Sequence, residues 1–140
     1  MDLYALMTEI DTRLKTITAL RTTAIGTDSA VKVPAAVQYL PDRIDFDQTA
    51  GRGSDKISDI VVVVFVGRSN LRGAVQAIAP YLAGSGAKSI KAKLDHSVAA
   101  PYANAYDVQV VYAEVDYNAK IGNVEYLAAL FHLNVTGSGA

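Results

Sequence analysis

"ISDIVVVVFVG", residues 57–67, decides the fold. Seven consecutive apolar residues, Ile60 to Val66, are nearly all β-branched, a composition that favours an extended chain. Ile57 to Val66 therefore reads as a strand, ended by Gly67. Alternation sends Ile60, Val62, Val64 and Val66 to one face, and Val61, Val63 and Phe65 to the other. A strand covered on one face only would be polar at every second position. This one is apolar on both. The flanking charges of Asp59 and Arg68 guard a stretch that would aggregate if exposed.

Working outward toward the C-terminus, Ser69 or Asn70 can cap a helix carrying Leu71, Val75, Ile78 and Leu82 on one stripe. Pro80 lies inside that pattern and removes a backbone donor, so a kink or an early stop is expected there. Residues 84–86, GSG, break the chain. Ser89 to Leu94 reads as one or two helical turns, and 97–105 as loop. Tyr106–Tyr117 and Val124–Val135 read as two strands joined by NAKIGN, residues 118–123, which has the residues of a hairpin turn. Val108, Val110 and Tyr112 would share one face of the first of these strands. Val111, Ala113, Val115 and Tyr117 would share the other.

Toward the N-terminus, Val31–Tyr39 is a strand whose Pro34 suits an edge or a strand start. Residues 18–30 read as loop. Residues 2–17 form an amphipathic helix, with Asp2 as N-cap and Leu3, Leu6, Met7, Ile10, Leu14 and Ile17 along one stripe. The expected fold is α+β: a four-stranded, mostly antiparallel sheet with helices packed on one face, in the order α-β-β-α-β-β. Residues 1–136 make one domain, and 137–140 a flexible tail. The last strand also has two apolar rows, Leu127 to Val135 and Tyr126 to Leu130. So few helices leave part of such a sheet uncovered, and an exposed apolar patch marks a protein contact.

Composition narrows the function. The net charge of −1 gives no field to hold nucleic acid or an anionic membrane. No cysteine is present, so disulfides, thiolate zinc sites and cysteine nucleophiles are absent together. The longest apolar run is far short of the roughly 20 residues that span a bilayer. Asp2, Glu9 and Asp11 interrupt what would be the apolar core of a signal peptide. A soluble cytoplasmic protein is expected.

Between the strands at 39 and 57 lies the most polar stretch, LPDRIDFDQTAGRGSDKISD, residues 40–59. A loop of that length inside a compact domain is usually functional or mobile. Its Gly51-Arg52-Gly53 lacks the third glycine of a dinucleotide loop and precedes a strand instead of following one. Asp45-Phe46-Asp47 could offer oxygens to a hard cation, but the calcium-loop spacing is absent. Residues 84–89, GSGAKS, resemble a phosphate loop, yet the required glycines fall on Leu82 and Ala87, after a helix. His96 and His132 lack the i, i+4 partner of a helical zinc site, and no serine sits in a nucleophile elbow. Both histidines read as structural or surface residues. Lys88, Lys91 and Lys93 lack the interleaved aromatics of a single-strand binder. No enzyme signature emerges, and no cofactor or metal is expected.

The order and spacing of these elements resemble something more specific. The helix ends in RLKTITALR, residues 13–21, and is followed by VPAAVQYLPDRIDFDQTAGRGSDKI, 33–57. Then come VGRSNLRGAVQAIAPYL, 66–82, SIKAKLD, 89–95, and YDVQVVYAEVDYNAKIGNVEYLAALFHLNV, 106–135. The chain so resembles the tail terminator (tail completion) proteins of long-tailed, siphovirus-type bacteriophages, particularly those of actinobacteria. The resemblance implies a structural virion protein at the head–tail neck, assembled in the host cytoplasm. It implies a homo-hexameric ring that caps the tail tube, ends its polymerisation and joins tail to head. The implied partners are other copies of the chain, the major tail tube protein, the head-closure connector, and genomic DNA in transit through the lumen, with no membrane. On that reading Asp42, Arg43, Asp45, Asp47, Arg52, Asp55 and Lys56 form an assembly loop facing a neighbour or the lumen. Tyr112, Tyr117 and Tyr126 are candidate subunit-interface residues. A head-closure (stopper) protein, and a small cytosolic enzyme or ligand-binding domain, are the competing expectations.

Overall fold

A computed structural model of the chain describes residues 1–27, 29–46 and 54–138. The elements run α1 (Leu3–Lys15), β1 (Thr22–Ile25), β2 (Ala35–Tyr39), β3 (Ile44–Asp45), β4 (Ser54–Gly67), α2 (Leu71–Leu82), α3 (Ile90–Leu94), β5 (Asp107–Ile121) and β6 (Val124–Ser138). The fold is α+β with a mixed sheet. Among the described residues the sheet has six strands, not four, in the order β1-β2-β4-β6-β5, with β3 also paired to β4. The strands beyond expectation are short. β1 lies inside the stretch read as loop, and β3 inside the polar 40–56 segment. β1 runs parallel to β2, and every other pairing is antiparallel.

The long apolar strand β4 is the centre, buried on both faces from Val62 to Val66. Ile60, Val62, Val64 and Val66 join Leu127, Ala129, Phe131, Leu133 and Val135 of β6 beneath all three helices. Leu6, Ile10 and Leu14 of α1, Ala74, Ile78 and Tyr81 of α2, and Ile90 and Leu94 of α3 close that core. The opposite face holds a smaller cluster: Val37, Val63, Phe65, Ala128, Tyr126 and Ile121, with Val31 and Val33 packed against it. The β1–β2 connection therefore covers the second apolar face of β4 where no helix does.

Local chemistry sets the boundaries. Asp2 caps α1, its Oδ1 accepting from Ala5 N at 3.0 Å. Asn70 caps α2 by accepting from Gly73 N at 3.2 Å. Pro80 does not stop α2, which continues two residues past it to Leu82. Ser89 caps α3, accepting from Ala92 N and donating to Ala83 O. The β5–β6 hairpin turns on Gly122-Asn123 alone, with Gly122 at φ +60°, so β5 runs on to Ile121, beyond its sequence pattern, while β6 begins at Val124 as expected. β6 also carries Gly137 and Ser138, residues expected in a flexible tail, paired with Asp55 and Ser54.

The stripe expected on α2 is rotated. Ala74, Ile78 and Tyr81 face the core, while Leu71, Val75 and Leu82 are exposed. The face assignment of β5 also changes, because the register shifts between Val110 and Tyr112. Val108 and Val110 are on the helix side. Beyond the bulge, Ala113 and Val115 stand opposite Phe131 and Ala129 and keep to that side. Tyr112 stands opposite His132 on the other.

Candidate assembly surface

The described parts of the polar segment, 40–46 and 54–59, are divided between β3 with its flanks and β4. Asp42 and Arg43 are exposed, and Arg43 Nε lies 2.7 Å from Asp45 Oδ1. Asp45 belongs to β3 and stands opposite Lys56, which is exposed on β4. Asp47 and Arg52 lie outside the described residues. Asp55 departs from the expectation: it is 4 % exposed, and its Oδ2 lies 3.1 Å from the Met1 amine. Ion pairing with the part-buried amine explains how a carboxylate is tolerated there. Asp55 is a structural residue, not part of an exposed loop.

The three tyrosines also separate. Tyr126 is 3 % exposed; its ring meets Phe65 edge-on at 5.4 Å, and its hydroxyl exchanges hydrogen bonds with Val31 N and O. It pins the β1–β2 connection to the sheet and is not free to meet a partner. Tyr112 and Tyr117 are 49 % and 50 % exposed on β5.

β5 is the outermost strand on its side of the sheet; Asp95 and His96 bond its outer edge at Val110 N and Val108 O, and among the described residues no strand pairs with that edge. From Val111 to Asn118 every residue is exposed. Val111, Tyr112, Val115 and Tyr117 make this run apolar, with Glu114 and Asp116 its charges. Between the bulges, residues 112–116 keep regular register and contain neither Lys nor Pro, two common guards of an exposed edge. Leu71, Val75 and Leu82 on α2 are exposed as well, so apolar residues are left over on both elements where few helices cover a two-faced sheet.

A group that the sequence did not bring together sits beside Tyr112. His132 Nδ1 lies 2.6 Å from Asp59 Oδ1, its Nε2 lies 3.7 Å from Glu114 Oε1, and its ring stacks on Tyr112 at 4.3 Å. The sequence signal was faint, because Asp59 reaches His132 only through the β4 register shift after Ile57. No hydroxyl nucleophile is bonded to this histidine among the described residues, so the arrangement holds Tyr112 in place on β5. His96 is likewise tied to Asp107 at 2.6 Å and to Val108 O.

At the opposite edge, α1 overhangs β1 and β2 to leave an apolar groove of about 660 Å³, lined by Leu3, Tyr4, Met7, Ile25, Tyr39 and Leu40, with Gln38 at its wall. Gln38 is fully buried. Its Nε2 donates to Met7 O at 2.7 Å, and its Oε1 has no hydrogen-bond partner among the described residues. Among the described residues no group of three His, Asp or Glu side chains is disposed to hold a metal, and no helix is long and apolar enough to cross a membrane. No family model matches the sequence, and no curated protein matches it.

Proposed function

We propose that this chain is a self-associating structural subunit that forms a ring at the head-proximal end of a phage tail tube. The ring ends tube growth and joins tail to head while DNA passes through its lumen. The observation that carries the reading is the exposed β5 edge. An apolar strand edge, unpaired at one side of a sheet whose other side ends in a different strand, favours head-to-tail contacts between unlike surfaces. Such contacts close into a ring when the rotation permits. The resemblance of residues 13–135 to tail terminators supports the choice of ring and partners. A head-closure protein would use the same edge but bind the head connector in place of the tube.

Purified tail tubes of a long-tailed phage, incubated with the protein and imaged, test this reading. Density capping one end of each tube, with tube elongation arrested, is the expected result. Binding to head connectors alone would move the chain to the stopper role, and binding to neither would end the neck assignment.

A further inference from the structure

We infer that the groove beneath α1 receives Tyr117 of a second copy, whose β5 edge adds to β1; the inference rests on the ring reading above. The first observation is Gln38 Oε1, an acceptor with no hydrogen-bond partner among the described residues, buried just beneath the wall of an otherwise apolar groove. A buried acceptor without a donor is costly, so the groove suits an occupant with an apolar body and one O–H or N–H, toward which the Gln38 amide turns on docking. A tyrosine has that form.

The second observation is direction and face. β1 is parallel to β2, and β4, β6 and β5 then alternate, so β5 runs opposite to β1. A neighbour related by rotation, with its helix face on the same side, brings β1 antiparallel to β5. The groove lies on the helix side, since Ile25 pairs with Gln38 and Gln38 reaches α1. Tyr117 and Asn118 together stand opposite the core residue Leu127, which puts Tyr117 on that same side. Tyr112 faces the other way, onto His132.

The third observation is charge. Residues 111–118 carry Glu114 and Asp116 and no base. The stretch around β1, residues 21–33, carries Arg21 and Lys32 against the single acid Asp28, and both bases are exposed. Unlike edges are therefore complementary, whereas two β5 edges paired antiparallel about Val115 would set Glu114 against Asp116.

The test is site-specific photo-cross-linking in the full chain. Tyr117 is replaced by p-benzoylphenylalanine, an aromatic that carries a bulkier para substituent into the groove, and isotopically light and heavy copies are mixed. Expected are mixed-isotope adducts on Met7, Leu3 or Leu40. Tyr117→Phe should weaken self-association about fivefold, through loss of one hydrogen bond, and Tyr112→Phe should leave it unchanged. Adducts within 111–118 would overturn the inference in favour of a β5–β5 contact. Rings that form normally with adducts elsewhere, or with Tyr117→Phe indistinguishable from wild type, would overturn the groove and leave the ring reading standing. A chain monomeric at every concentration and giving no adduct would overturn both.

Discussion

Asp95 is the clearest case of one side chain holding distant segments together. It is buried; Oδ1 accepts from Ser97 N and Oγ, and Oδ2 accepts from Val110 N at 2.9 Å, tying the end of α3 to β5. Asp95→Ala should cost about 3 kcal/mol, since it leaves a buried strand amide unpaired, and urea unfolding would read it. Glu9 plays a similar part, accepting from Ala103 N, Asn104 N and the Asn104 side chain. Burial pushes both carboxyls up, but these hydrogen bonds outweigh it and hold both below their ordinary values of 4.5 for Glu9 and 3.8 for Asp95. A depressed folded value means the unfolded chain takes up protons first as pH falls. The stabilisation is thus complete above about pH 4.5 and is lost progressively below it. Urea midpoints measured from pH 6 downward should fall in that window, and Glu9→Gln should flatten the fall. Asp55 and Asp42 make a further contrast. Asp55→Ala removes the partner of the part-buried Met1 amine and should cost about 2 kcal/mol. Asp42→Asn, on an exposed side chain, should stay within about 0.5 kcal/mol. Sequence alone grouped these two aspartates, because neighbourhood in the chain does not reveal which of them turns inward.

At the scale of elements, what could be read in advance was whatever a strong local pattern encodes. The β-branched run of β4, the spacing of α1 and the caps at Asp2 and Asn70 all stand in the structure. β1 and β3 could not be read, since four and two residues are too few for a periodicity and their pairing is set by β2 and β4. The faces of β5 could not be read either: one extra residue at the bulge reverses every assignment beyond it. The α2 stripe failed for another reason. Small Ala74 and bulky Tyr81 fit the space over the sheet, leaving the more obvious Leu71, Val75 and Leu82 outside. For the candidate surface, the sequence supplied Tyr112 and Tyr117 but not the groove around Gln38, which exists only once α1 crosses β2. Two element-scale substitutions probe the hairpin. Gly122→Ala, at positive φ, should destabilise by about 1 kcal/mol in thermal or urea unfolding. Val115→Lys places a charge on the open edge. It should change monomer stability by less than about 0.5 kcal/mol while abolishing self-association, read by sedimentation velocity.

For the whole molecule, one sheet is closed by helices on one side and by the β1–β2 connection on part of the other. Its two ends differ in kind. One is a long, acidic, apolar strand edge; the other is a short strand beside a groove and two bases. Unlike ends favour contacts that propagate from copy to copy, and the proposed ring is the closed form of that propagation. The most direct measurement is the mass of the protein in solution, by light scattering after size exclusion, across a wide concentration range. The account predicts a discrete particle several times the 14.9 kDa of one chain, near six-fold, with a central hole on imaging. A single 14.9 kDa species at every concentration, unchanged when tail tubes are added, would contradict it.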